Sequence, residues 1–188
     1  MKAIDELNLE AGIRTVMKQI HPDLRVSKKY IDEVNFVIIK LLKELVKNAL
    51  IITKSCGHTE VTGKSMMAAT SVTLSEILGK FASNEGTKAV NRFNSYDDKD
   101  RSTRAYKAGL SISVSKVEAA IRSILPKRNR LSKVAVIYAS GVLEYITAEV
   151  NELSGRAAQN DNKTTVTDKN FAKAFKDDKE LAGLLPPC

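Results

Sequence analysis

Arg25-Val26-Ser27-Lys28 recurs 105 positions later as Arg130-Leu131-Ser132-Lys133, and Thr59-Glu60-Val61-Thr62 recurs at the same offset as Thr164-Thr165-Val166-Thr167. Two matches in one register point to a duplicated unit, which has to be recognised before any fold is assigned. After each Ser-Lys comes an apolar pattern at spacings of three and four. It runs through Ile31, Val34, Ile38, Leu41 and Leu45 in the first copy, and through Val134, Ile137, Tyr138, Val142, Tyr145 and Ile146 in the second. That period predicts an amphipathic helix. Ser27 and Ser132 stand where N-caps belong, and the polar clusters Ser55-Cys56-Gly57 and Asn160-Asp161-Asn162 end the pattern, so each helix should span about 25 residues.

Shorter helices are predicted around each long one, over about 10–20 and 63–73 in the first copy and about 115–125 and 168–176 in the second. Pro22 and Pro126 break the chain before the long helices, because the ring removes a donor and restricts the residue in front of it. The Thr-x-Val-Thr tetrapeptides are β-prone and end in Thr62 and Thr167, which suit N-caps, so each reads as a short extended segment entering a helix. A long helix with two short partners leaves apolar surface uncovered where it projects beyond them. Two copies crossing each other bury that surface. The fold class expected is all-α.

The chain has 188 residues, with 30 Lys+Arg against 22 Asp+Glu and a formal charge of +8. At 43% apolar and 28% charged residues it lies far from the composition of a disordered chain. Apolar runs such as Val37-Ile38-Ile39 are soon interrupted by Lys, well short of the roughly 20 residues of a bilayer span, so no membrane partner is expected. Residues 1–10 lack the apolar run of a signal peptide. Cys56 and Cys188, with no C-x-x-C and two histidines in the chain, suit neither a disulfide framework nor a zinc site and read as free thiols. Between Lys99 and Lys133 lie ten basic residues and two acidic ones, an excess equal to the net charge of the whole chain. Such a stripe points to a polyanionic partner.

The helix, loop, long helix, loop, helix unit resembles the histone fold. The first half resembles histone 2B over residues 13–93. Lys18-Gln19-Ile20-His21-Pro22-Asp23 matches the end of its first helix and first loop, and Glu85-Gly86-Thr87-Lys88-Ala89-Val90 matches its added C-terminal helix. The second half, from Ala108-Gly109-Leu110 to Leu184-Leu185, is similar to histone 2A. The match is carried by Leu143-Glu144-Tyr145-Ile146-Thr147-Ala148-Glu149 and Asp177-Asp178-Lys179-Glu180-Leu181, with one extra residue before the first loop. The halves are joined through residues 94–107, as in the fused histone doublets of giant viruses of the marseillevirus type. The organisation implied is a first histone fold with a C-terminal helix over 1–96, a linker over 97–107 and a second histone fold over 108–188. The two would be clasped as an intramolecular handshake pseudo-heterodimer. A tether of about 14 residues holds the partner fold at an effective concentration of order millimolar.

The resemblance implies a structural DNA-packaging protein with no cofactor and no enzymatic activity. With a doublet resembling histones 4 and 3, packed on the end of the first copy's long helix and its third helix, it would wrap double-stranded DNA into nucleosome-like particles. These would sit in the virion or on viral DNA in the host's cytoplasmic factory or nucleus. In the family, the first loop of one fold lies beside the second loop of the other, so Arg130 is expected near residues 59–61 and Arg25 near 164–166. One implied DNA site joins Arg25, Val26, Ser27 and Lys28 to Lys163, Thr164 and Thr165. Another joins His58, Thr59 and Lys64 to Arg130, Leu131 and Lys133. A third lies where the first helices converge, with Lys116 and Arg122, and Arg104 in the linker could follow DNA. Helix N-termini and backbone N–H groups grip phosphates there without reading sequence, so binding should be salt-sensitive.

Departures from the family pattern matter. His58 and Thr165 stand where minor-groove arginines are usual, and Arg25 replaces a usual Gly and is expected to offset part of the loss at its own site. Residues 1–10 are not the basic tail of histone 2B, and Pro186-Pro187-Cys188 stand where histone 2A continues into a docking segment. Particles that shed DNA ends or this subunit more readily than eukaryotic ones are therefore expected. Glu85, Glu144, Glu149, Glu152, Asp178 and Glu180 match the acidic patch through which the family docks Arg-bearing proteins. Lys179 and Ile77 replace carboxylates there, with Glu76 beside them.

A rival from another class is a histone-fold transcription-factor or scaffold module dominated by protein contacts. Gly57 to Ser65 nearly spells a phosphate-binding loop, but its first Gly is one residue early and no strand precedes it. His21 reads as a hydrogen-bonded loop or cap residue rather than a base, Cys56 beside His58 has no second ligand pair, and Met17, Met66 and Met67 read as core filler.

Overall fold

A computed structural model describes residues 2–97 and 100–184 of the chain. The chain end at Pro186-Pro187-Cys188, Leu185, and Asp98 and Lys99 of the linker lie outside the described residues. The first half runs α1 (Lys2–Asp5), α2 (Glu10–Ile20), β1 (Arg25–Val26), α3 (Lys28–Ser55), β2 (Glu60–Val61), α4 (Gly63–Thr73) and α5 (Glu76–Asn94). The second half runs α6 (Arg104–Ala108), α7 (Val114–Ile124), β3 (Arg130–Leu131), α8 (Lys133–Asn160), β4 (Thr165–Val166), α9 (Asp168–Asp177) and α10 (Lys179–Ala182).

The duplication extends to single hydrogen bonds. The long helices α3 and α8 have 28 residues each, three more than expected. Ser27 Oγ accepts from the Tyr30 N–H at 3.2 Å, and Ser132 Oγ accepts from the Ala135 N–H at 3.1 Å. Both helices stop through a residue in the left-handed region, Gly57 at φ 73° and Asn162 at φ 54°, which stand 105 positions apart. The next residues close the same turn, His58 N–H on the Thr53 carbonyl and Lys163 N–H on the Ala158 carbonyl. These caps satisfy donors and carbonyls that a helix terminus leaves open. The predicted bounds of α2 and α4 match the observed ones, while α7 starts one residue early because Ser113, rather than a later residue, caps it.

α3 and α8 cross, and their apolar faces with the flanking helices form one continuous core containing Val34, Ile38, Leu42, Leu45, Ile137, Val142 and Ile146. At the crossing the buried Tyr30 hydroxyl donates to Asn151 Oδ1 at 2.7 Å, and Asn151 Nδ2 donates to the Ile13 carbonyl at 3.1 Å. Burial pushes the Tyr30 phenol well above its ordinary range. α5 lies across α8, where Gly86 meets the Tyr138 ring and Gly141 meets Ala89. A Cβ on Gly141 would stand 3.0 Å from Ala89 Cβ and from the Gly86 Cα. Among the described residues no helix is long and apolar enough to cross a membrane.

Residues 2–9 depart from the expectation of a mere non-basic start. They form a strap with Ile4, Leu7 and Leu9 buried, laid on α3 and α7. Asn35 fastens it, its Nδ2 donating to the Leu7 carbonyl at 2.7 Å and its Oδ1 accepting from the Leu9 N–H at 3.0 Å. The expected linker also contains structure, because α6 is capped by Thr103 and ended by Gly109 at φ 67°. Met17 and Met66 are core residues as expected, but Met67 is 40% exposed. Successive helical positions differ by about 100°, so two adjacent methionines do not both face inward.

Candidate nucleic-acid interface

Two short parallel pairings bring loops of the two halves together. β1 pairs with β4, Arg25 opposite Thr165 and Val26 opposite Val166, and β2 pairs with β3, Glu60 opposite Arg130 and Val61 opposite Leu131. Arg25 N–H donates to the Thr164 carbonyl at 2.9 Å, and Arg130 N–H to the Thr59 carbonyl at 3.0 Å. Both expected loop neighbourhoods are therefore present. Both pairings are parallel, and each of the four strands leads directly into a helix. Each pair thus sets two helix N-termini side by side, α3 with α9 and α8 with α4, and their partial positive charges add. The buried Val61, Leu131 and Val166 pin these turns to the core, and Val26 is half-buried beside them.

At the β1–β4 turn, Arg25, Lys28, Lys163 and Thr164 are exposed and Ser27 and Thr165 are half-buried. At the β2–β3 turn, His58, Thr59, Lys64, Arg130 and Lys133 are exposed. Asn129 ties this second turn together, its Nδ2 donating to the Thr59 carbonyl at 3.1 Å. Lys127 and Arg128 also stand exposed on the same loop. Sequence reasoning missed both as site residues, although they belong to the basic stretch that ends at Lys133.

Other expected cations are engaged internally. Lys28 Nζ lies 2.9 Å from Glu10 and 3.1 Å from Asp32, and their carboxylates raise its pKa. Glu118 holds Arg104 at 2.6 Å and Arg122 at 2.7 Å. Burial works against the charge on Glu118, but the two guanidinium groups outweigh it and hold the carboxyl below its usual range. Lys116 Nζ donates to the Asn8 carbonyl at 2.9 Å, so the strap occupies this cation beside the first helices. The pairs of Lys28, Arg104 and Arg122 are exposed or half-buried and weak in water, and a phosphate can compete for these cations.

The six acidic residues divide. Glu144 also has an internal role: its Oε2 accepts from the Ser111 N–H at 2.6 Å and the Ile112 N–H at 2.8 Å, capping the turn before α7. Burial raises its pKa despite those two donors. Glu152 pairs with Arg156 at 2.6 Å and lies 3.1 Å from His21 Nε2, and Glu85 pairs with Lys88 at 2.6 Å. His21 is the buried C-cap of α2, the structural role expected of it. Glu149, Asp178 and Glu180 rim a hollow walled by Ile77, Phe81 and Leu153. Ser75 Oγ donates to Glu180, and Asp178 Oδ1 accepts from the Leu181 N–H at 2.9 Å. Cys56 is an exposed free thiol, and among the described residues no group of three His, Cys, Asp or Glu side chains is placed to hold a metal ion.

No protein-family model matches the chain. It is 29% identical over 175 residues to the histone 2B–histone 2A doublet of Melbournevirus, an alignment covering 93% of this chain and 64% of that protein. It is 36% identical over 91 residues to a histone 2A of Meyerozyma guilliermondii, covering 47% of this chain and 67% of that histone. The chain thus spans about two thirds of the length of these relatives. Among solved structures, the histone from Methanopyrus kandleri superposes with a TM-score of 0.58 at 16% identity, covering 94% of this chain and 98% of that one, a likeness of fold alone. The duplicated helices, the crossed pairing of their loops and these likenesses agree: the chain belongs to the histone family, as two histone folds fused in one polypeptide and clasped in a handshake.

Proposed function

We propose that this protein packages double-stranded DNA, viral DNA by its likeness to the Melbournevirus doublet, through the two paired-loop turns and a third contact at the first helices. The observation that carries the reading is the register of the turns. Arg25 opposite Thr165 and Arg130 beside Glu60 each sit where two helix N-termini converge, and side chains that would read bases are not needed to grip phosphates there. Binding is sequence-tolerant and falls steeply with salt.

A second doublet, resembling histones 4 and 3, completes the particle. Ile51 near the end of α3 and Val72 on α4 are more than half exposed, an unpartnered apolar face at one end of the handshake. The equivalent positions 105 residues on are Arg156 and Asp177, so among the described residues these positions carry no such face at the other end. One-ended association builds a closed particle rather than an open filament. Glu149, Asp178 and Glu180 serve as a reduced docking patch for Arg-bearing proteins.

Nuclease digestion of DNA bound by this protein, with and without the second doublet, tests the reading. Discrete protected lengths are expected only when both doublets are present, and unprotected DNA in both cases would overturn it. Arg130→Ala should lower DNA affinity and its salt slope. Arg25→Ala should lower both by less, and no change at Arg25 would show that it does not offset the arginine lost at Thr165 of its own turn.

A further inference from the structure

Lys28 and Lys133 are equivalent residues of the duplicated unit, 105 positions apart at the starts of α3 and α8, and both are exposed at a paired-loop turn. Their surroundings differ. Lys28 Nζ lies 2.9 Å from Glu10 and 3.1 Å from Asp32. The positions equivalent to Glu10 and Asp32 hold Ser115 and Ile137, and among the described residues Lys133 enters no ion pair. Glu10 also holds a second cation. Its Oε1 accepts from Arg14 Nε at 2.9 Å and Nη2 at 2.8 Å, and Arg14 Nη1 donates to the Val26 carbonyl at 3.4 Å. Arg14 therefore stands at the β1–β4 turn, a cation that sequence reasoning did not single out, and its counterpart in the second copy is Ala119. One carboxylate thus lies between cations of α2 and α3, the place a phosphate oxygen would take. Lys28 first and Arg14 second hold the Glu10 carboxyl below its usual range, so it keeps its charge at neutral pH.

Glu118 repeats the arrangement with unrelated residues. It holds Arg104 of α6 and Arg122 of α7, and its counterpart in the first copy is the buried Ile13. Neither carboxylate is therefore inherited from the duplication. Among the described residues no carboxylate bridges cations at the β2–β3 turn. Glu60 stands opposite Arg130 in the register of that turn, half-buried, yet no ion pair joins the two. Arg130, Lys133, Lys64, Lys127 and Arg128 are all exposed there.

We propose that Glu10 and Glu118 are built-in stand-ins for DNA phosphates, so that contact at the β1–β4 turn and the first helices is an exchange of anions, while the open β2–β3 turn takes DNA first. The proposal rests on the DNA-packaging reading above. A phosphate arriving at Arg130 or Lys133 displaces only solvent ions. One arriving at Arg14, Lys28, Arg104 or Arg122 displaces a carboxylate, and its gain is the difference between two similar ion pairs. These latched contacts close last and open first. The carboxylates do not prevent binding. They give it a direction, with one end of the handshake held and the other readily released.

The test follows association and dissociation of the full chain with a labelled duplex by stopped-flow anisotropy at about 0.15 M salt. Glu10→Gln and Glu118→Gln keep the side-chain shape and remove the competing charge. Each should slow dissociation about two- to threefold and leave association nearly unchanged. Glu33→Gln removes the same unit charge from an exposed residue of α3 that enters no ion pair among the described residues, and it should alter either rate by less than about 1.5-fold. Arg130→Ala should instead slow association. Gln exchanges no more effective than Glu33→Gln would overturn the proposal, as would exchanges that act on association rather than dissociation, or an Arg130→Ala chain that associates as fast as the parent. A parent chain that binds no duplex would overturn the packaging reading together with this one, whereas a parent that binds, with Gln variants that match it, overturns the exchange alone.

Discussion

α3 and α8 have equal lengths, equivalent caps and equivalent stops, yet position 36 of the first is Phe and the matching position 141 of the second is Gly. Phe36 is 48% exposed with Lys40 Nζ 4.3 Å above its ring, while Gly141 is buried under α5. The duplicated frame thus sets the crossing, and single positions decide what each copy lays over it. A glycine lets a helix rest on α8, and an aromatic ring keeps the same surface of α3 clear. The polar wiring is also one-sided. Asn151 faces Tyr30 at one end of the crossing, whereas the equivalent pair, Val46 and Ala135, is apolar.

The most damaging way to break this contrast is to make α8 like α3. Gly141→Phe drives a ring into α5, and an overpacked core loses about 3 kcal/mol here or fails to fold, as read by chemical denaturation. The reciprocal Phe36→Gly removes an exposed side chain and should cost about 1 kcal/mol, the ordinary penalty of glycine inside a helix. Equal losses from the two exchanges would mean that α5 is not held by Gly141. Next in size, Tyr30→Phe leaves buried Asn151 Oδ1 without its donor and should cost about 1–3 kcal/mol, a deficit that the Val46 end has no means of showing.

The shared frame makes a smaller prediction. Ser27→Ala and Ser132→Ala each remove one N-cap bond and should each lower stability by about 1 kcal/mol, so a clear inequality would show that the two caps are not equivalent. The smallest effect belongs to Glu144. An acid whose folded pKa is raised weakens the fold once ionised. This loss is absent below its ordinary pKa and complete above the raised one. Glu144→Gln keeps an oxygen for Ser111 and Ile112, so it should stabilise slightly at pH 7 relative to the parent and lose that advantage near pH 4. An advantage that grows in acid would reverse the sign assigned to burial.

The repeat of short tetrapeptides made the helices and their caps legible, because each rests on local chemistry that survives in sequence, whereas the loop pairing followed only from the resemblance to the histone fold. What was not legible came from across the chain. The α1 strap holds four helical residues, too few to show a period, and its buried Ile4, Leu7 and Leu9 become core only because α7 lies beneath them. Glu144 stands on the expected helix, but spacing does not reveal that its carboxylate turns toward two backbone donors. Arg104 was readable as a cation and not as a partner of Glu118, since that meeting depends on how α6 is placed.

The crossed bonding of the halves carries a consequence for synthesis. The Ile13 carbonyl and Tyr30 hydroxyl wait for Asn151, 138 and 121 residues downstream, which at ribosomal speed is on the order of ten seconds. During that interval the emerging first half has the apolar stripe of α3 and nothing to lay against it. A nascent chain of this design therefore needs shelter while it is being made, even though the finished molecule carries its own partner.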